Sequence, residues 1–204
     1  MKKIAVFASG GGTDFQSIID ANAKERFCKI EYLVASKPAI GAIARAEKAG
    51  IQPLVYDKNK YACVGDFYRE LTEKFYADGI DYIVLAGWLL IIPQDFIACF
   101  ENKIVNIHPA LLPSFGGKGY YGLNVHRAVL EHGAKVSGAT VHFVEADVDG
   151  GAIIMQRAVD VLDDDTPETL QERILKVEHE MLPLCVKKLC EGKVQKSGRQ
   201  VRVL

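Results

Sequence analysis

Residues 3–19 read KIAVFASGGGTDFQSII. The first seven form a mostly apolar run closed by three glycines, the pattern of a buried strand. From Thr13 onward the spacing changes, and Phe15, Ile18, Ile19 and Ala23 recur at the period of a helix. Thr13 followed by Gln16 fits a capping box, which makes Thr13 the predicted helix cap. A buried strand that turns through glycine into an amphipathic helix opens a βαβ unit. A parallel sheet is expected wherever that alternation continues.

It continues through the first half of the chain. KIEYLVAS (29–36) reads as a second strand and IGAIARAEKAG (40–50) as a helix stopped by Gly50. IQPLVYD (51–57) is a third strand, and Pro53, which lacks an N–H, suits a sheet edge. DFYRELTEKFYADG (66–79) is an amphipathic helix with Phe67, Leu71 and Phe75 on one stripe. DYIVLAGW (81–88) is the most apolar strand, Pro93 begins a short helix, and KIVNIH (103–108) is a fifth strand. Strands this continuously apolar are covered on both faces, as in a doubly wound α/β sheet.

After His108 the rhythm changes. GLNVHRAVLEHG (122–133) reads as an exposed helix carrying His126 and His132. VSGATVHFVE (136–145) and GAIIMQRAVDVL (151–162) are strands separated by so few residues that only an antiparallel hairpin fits. A long closing helix starts at Thr166 as N-cap with Pro167 in its first turn, and a kink or break is expected at Pro183. The whole chain, 1–204, reads as one domain with two halves, over about 1–100 and about 101–192. A minor strand or short tail covers 193–204.

Apolar residues make up 49% of the chain and charged ones 25%, which fits an ordinary globular protein. The net charge of −1 gives no bulk attraction to nucleic acid or to an anionic membrane. The five cysteines, Cys28, Cys63, Cys99, Cys185 and Cys190, are scattered without a CxxC pair, so reduced thiols and a cytoplasmic location are expected. The apolar run after Lys2 and Lys3 is too short for a secretory leader.

Two places carry chemistry. Glycines 10–12, between a strand and a helix, let backbone N–H groups approach an anion, although the spacing is neither GxGxxG nor a P-loop. The alternative is a tight turn and nothing more. Asp14 is expected to present its backbone to a ligand and to turn its carboxylate aside. In KIVNIHP, Asn106 and His108 are two apart and share one face of the strand, which Pro109 then ends. Two polar groups on a buried strand need partners, because an unpaired one costs about 1–3 kcal/mol. A carboxylate from EADVDGG, either Asp147 or Asp149, would raise the pKa of the imidazole if it reached it. His142 is placed to support such a site, and His179 lies on the long helix. No metal-ligand spacing appears.

SGGGT, VLAGW, NIHPALLP, GATVHFV and DVDGG, in this order, resemble the folate-dependent formyltransferase family from about Ile4 to about Gly192. The resemblance implies catalysis by Asn106, His108 and Asp149. It implies a ribonucleotide phosphate loop at Gly11, Gly12, Thr13 and Asp14, and a further substrate contact at Glu178. It implies a pterin-binding segment at Leu89, Leu90, Ile91 and Ile92, with Asn106 also touching the folate. The implied small-molecule substrates are 10-formyltetrahydrofolate as co-substrate and glycinamide ribonucleotide as acceptor, handled by a monomer or weak homodimer without metal, nucleic acid or membrane. Asp14 stands where asparagine is frequent in the family, Leu90 where some members carry a basic residue, and GGKGYYG (116–122) is a variant loop. Rival readings are a formyltetrahydrofolate deformylase, which would carry an extra N-terminal domain, and a non-catalytic folate- or nucleotide-binding protein on the same fold. A tRNA formyltransferase would need an added basic C-terminal domain.

Overall fold

A computed structural model describes residues Met1–Leu204. The apolar runs become strands β1 (Lys3–Ala8), β2 (Lys29–Ala35), β3 (Gln52–Val55), β4 (Tyr82–Leu85) and β5 (Ile104–His108). Between them lie α1 (Thr13–Glu25), α2 (Gly41–Lys48), α3 (Val64–Asp78) and α4 (Gln94–Cys99). Then follow α5 (Leu123–Glu131), β6 (Val136–Phe143), β7 (Ile153–Asp160), α6 (Pro167–Cys190), β8 (Val194–Ser197) and β9 (Gln200–Val203). The seven-stranded sheet has the order β3-β2-β1-β4-β5-β6-β7, and β8 and β9 pair separately. This is the Rossmann-like, mostly parallel sheet expected from the alternation. No helix is long and apolar enough to cross a membrane.

The chain divides inside β5 into two compact units, Met1–Val105 and Asn106–Leu204. In the first, β1 pairs in parallel with β2 and β4, and β2 with β3. Pro53 sits in the edge strand, where its missing N–H costs no ladder bond. Phe67, Tyr68, Leu71 and Phe75 of α3 are buried, each worth roughly 1.5–3 kcal/mol of apolar burial. Phe7 of β1 packs edge-on against Phe75 and Trp88, which ties α3 and the segment after β4 to the sheet.

In the second unit, β6 and β7 form the expected antiparallel hairpin, with a register shift at Val141/His142. The α6 helix is capped by Thr166, whose side chain accepts from the Thr169 N–H, with Pro167 in the first turn. It runs from Pro167 to Cys190 with Pro183 inside it, so of the expected kink or break the break does not occur. Buried Met181 and Leu182 before the proline and Cys185, Val186 and Leu189 after it hold the helix on both sides, so packing outweighs one lost backbone bond. Residues 193–204 hold the two short strands β8 and β9, which close an antiparallel pair.

Two local expectations fail. Thr13 does not cap α1: Gly12 does, at φ +73°, with no side-chain cap bond. Gln16 is used elsewhere, donating through Nε2 to Asp20 Oδ1 at 2.8 Å. His126 is not on an exposed face, because it is buried with Val125 and Val129 on α5. None of the five cysteines is in a disulfide.

Candidate active site

In the second unit the site is built outward from the end of β5. Asn106 is half-buried and His108 buried, with Ile107 between them. Beyond Pro109 the chain is fastened by Thr140 of β6, a buried hydroxyl whose hydrogen-bonding capacity is fully used. Its Oγ1 donates to the Ala110 carbonyl at 2.6 Å. It accepts from the Leu112 N–H at 3.1 Å and from Gln156 Nε2 at 3.0 Å. Gln156 also donates to the Leu112 carbonyl at 2.8 Å.

The chain next turns through Phe115 at φ +53° and Gly117 at φ +94°. The turn brings the Phe115 carbonyl 2.8 Å from His108 Nε2, so this nitrogen carries a proton and donates it. Between these residues, a Cβ on Gly116 would stand 2.4 Å from Leu112 Cδ2 and 3.3 Å from Asp149 Cβ. A side chain here would displace the end of Leu112 and crowd Asp149. The Gly117 N–H then donates to Asp149 Oδ2 at 2.9 Å.

Asp149 itself sits on the β6–β7 turn at φ +55°. Its Oδ2 lies 3.6 Å from His108 Nδ1 and its Oδ1 lies 3.6 Å from His142 Nε2. Asp147, the other candidate, is exposed. The register shift at His142 aims its ring into the same cluster. His142 Nδ1 donates to the Phe143 carbonyl at 2.8 Å, leaving Nε2 to accept from Asn106 Nδ2 at 3.1 Å. Asn106, His108, Asp149 and the supporting His142 therefore form one connected set.

Burial is the largest influence on His108 and pushes its pKa down. Asp149 and then the Phe115 carbonyl pull it up, but the net shift is downward. The carboxylate does pull this pKa up, as expected, but burial outweighs it. For Asp149, burial raises the carboxyl pKa, while His142, His108 and the Gly117 N–H more than offset it and hold it below the ordinary value. Burial, and secondly His108, push His126 down to about 4.

Two further segments belong to the first unit. Gly11 to Asp14 run from the turn into the first residues of α1. Asp14 Oδ1 is buried, and burial pushes the carboxyl pKa up to about 6. Leu89 to Ile92 form an irregular segment after β4, with Leu89 and Ile91 exposed. Ser9 ties the two segments together: its N–H donates to the Gly87 carbonyl at 3.0 Å, and its Oγ accepts from the Leu89 N–H at 3.0 Å. Glu178 is buried on α6 in the second unit. No group of three His, Cys, Asp or Glu side chains is placed to hold a metal ion.

Sequence reasoning missed Phe115, Gly117, Thr140, Gln156 and Ser9. Phe115 and Gly117 act through backbone atoms, and only the glycine spacing of 116–122 hinted at them. Gln156 and Thr140 read as ordinary strand residues.

The family model described as formyl transferase matches residues 2–186. A chloroplastic phosphoribosylglycinamide formyltransferase of Vigna unguiculata is 43% identical over 95% of this chain, which spans 62% of that protein's length. The phosphoribosylglycinamide formyltransferase of Bacillus subtilis is 37% identical over 93% of this chain and 95% of its own. The solved structure of glycinamide ribonucleotide transformylase 1 from Symbiobacterium toebii superposes with a TM-score of 0.92 at 40% identity. That match covers 100% of this chain and 94% of the other.

Proposed function

The chain belongs to the formyl transferase family, and from that membership we propose that it moves a formyl group from 10-formyltetrahydrofolate to the amine of glycinamide ribonucleotide. The products are formylglycinamide ribonucleotide and tetrahydrofolate, in de novo purine biosynthesis. The observation that carries this is the connected set of Asn106, His108 and Asp149, with Nδ1 of His108 facing the carboxylate at 3.6 Å.

The substrate amine attacks the formyl carbon, giving a tetrahedral intermediate with a negatively charged oxygen. One N–H of the Asn106 amide is held by His142, and the other donates to that oxygen. A donor so placed is worth about 3 kcal/mol. His108, neutral at rest because burial depresses its pKa, accepts the proton lost by the amine. The resulting imidazolium has an acceptor on each nitrogen, the Phe115 carbonyl and Asp149. The proton is returned to the folate nitrogen as its bond to the formyl carbon breaks, which balances the transfer.

Gly11, Gly12, Thr13 and Asp14 hold the ribonucleotide phosphate through backbone N–H groups, and Glu178 is a further contact to this substrate. Leu89 to Ile92, with Asn106, hold the folate. Both substrates are small molecules handled by a cytoplasmic monomer or weak homodimer, and the net charge of −1 supports no polyanionic partner.

The test is to supply 10-formyltetrahydrofolate with and without glycinamide ribonucleotide and follow tetrahydrofolate. Release that requires the ribonucleotide is expected. Release without it would make the protein a deformylase, and no release in either case would leave a binding protein.

A further inference from the structure

The glycine loop carries no cation of its own. Residues 9–15, SGGGTDF, contain one acid and no Lys or Arg. A phosphate monoester held there depends on where the backbone N–H groups point and on charge brought from another element. Both requirements lead to α2.

Two successive loop carbonyls are tied to that helix. The Ala42 N–H donates to the Gly10 carbonyl at 3.2 Å, and Arg45 Nε donates to the Gly11 carbonyl at 2.8 Å. In a planar trans peptide the carbonyl and the next N–H point in opposite directions. The N–H groups of Gly11 and Gly12 are therefore aimed away from α2. The helix also limits what the loop can be, since a Cβ on Gly12 would stand 2.7 Å from Ala42 Cβ. The Arg45 guanidinium is fixed at its other end, where Nη1 donates to Gln16 Oε1 of α1 at 3.1 Å. Gln16 in turn donates its backbone N–H to the Gly12 carbonyl at 2.9 Å. The arginine thus bridges the loop and the helix that follows it.

We propose that Arg45 is the positioning residue of the phosphate loop, holding the Gly11–Gly12 peptide with its N–H turned outward and adding the positive charge that the loop lacks. This rests on the reading of Gly11–Asp14 as the ribonucleotide phosphate site. Arg45 acts through the loop and reads the phosphate monoester, not the amine or the formyl donor. A lysine offers charge without the planar fork that reaches two acceptors at once.

The test compares glycinamide ribonucleotide with its dephosphorylated riboside as acceptor, for the wild type and the variants Arg45→Met, Arg45→Lys and Gln16→Leu. Arg45→Met is expected to raise the ribonucleotide KM roughly tenfold or more, the loss of a charged hydrogen bond. Its kcat, its formyl-folate KM and its riboside KM should stay within about twofold. Arg45→Lys should recover part of the loss, and Gln16→Leu, which frees one end of the guanidinium, should show a smaller version of it. An unchanged ribonucleotide KM in Arg45→Met, or a riboside KM that rises by the same factor, overturns the role of Arg45. A wild type that uses ribonucleotide and riboside with equal KM overturns the phosphate-loop reading itself, and the role of Arg45 with it.

Discussion

Nδ1 of His108 lies 3.6 Å from Oδ2 of Asp149 while Nε2 of the same ring lies 2.8 Å from the Phe115 carbonyl. Both ring nitrogens face acceptors, an arrangement that favours the imidazolium, yet burial still holds the pKa below its ordinary value. The balance describes a group that is neutral at rest and already partnered for a charge, which is what the proposed proton transfer requires. Asp149 is the largest counterweight to burial, so removing its charge tips the balance further. Asp149→Asn should move the His108 titration to still lower pH, followed by NMR of the ring protons. Turnover at neutral pH should fall on the order of a hundredfold or more. A His108 titration identical to wild type would show that the carboxylate does not act on the ring.

Asn106 is oriented by His142. With Nδ1 committed to the Phe143 carbonyl, Nε2 of His142 can only accept, and it takes one amide N–H of Asn106 at 3.1 Å. His142→Leu removes the acceptor and frees the amide to rotate. The expected result is a kcat about tenfold lower, the equivalent of one hydrogen bond, with both KM values nearly unchanged. His142→Gln, which can keep an acceptor near the same place, should lose less. Equal kcat in the two variants would count against an orienting role.

The fold was legible in the sequence because buried parallel strands are apolar runs, and those runs alternate with helical periods as far as His108. Asn106 and His108 were legible for a similar reason, since period two on a strand that Pro109 ends leaves both on one face. Asp149 could not be chosen over Asp147 from spacing, because the two differ by a left-handed backbone at 149 and a loop that approaches it through Gly116. The depressed pKa of His108 was hidden as well, since it depends on how tightly the 109–117 segment is closed over the ring. His126 was misread although Val129 stands three residues on, at helical spacing on the same buried face. Thr13 was misread as a cap because the left-handed Gly12 takes that position.

Closure of that segment rests on Thr140. Its hydroxyl serves the Ala110 carbonyl, the Leu112 N–H and Gln156 Nε2 at once, and the residue is fully buried. Thr140→Val keeps the shape and withdraws all three bonds. Buried groups left unpaired cost roughly 1–3 kcal/mol each, and Gln156 retains its bond to the Leu112 carbonyl, so a total loss of about 2–4 kcal/mol is expected. Urea denaturation of the variant checks this. A loss below about 0.5 kcal/mol would mean that the segment holds without the hydroxyl.

Two buried titrating groups tilt stability in opposite directions with pH. His126 has a folded pKa of about 4, below its ordinary 6.5, so the unfolded chain takes up the proton first. Its effect is to lower stability as pH falls from about 6.5 to about 4, by on the order of 3 kcal/mol in all, the neighbouring charge being that of His108. Asp14 has a folded pKa of about 6, above its ordinary 3.8, so the folded chain binds the proton more tightly. Its contribution is present below about 3.8 and is lost as pH rises through about 6. Asp14→Asn removes the buried charge and should therefore stabilise the protein more at pH 8 than at pH 4. His126→Leu should do the reverse, gaining most near pH 4. Denaturation midpoints measured across this range for wild type and both variants separate the two effects. Parallel profiles for all three proteins would mean that neither burial is maintained in solution.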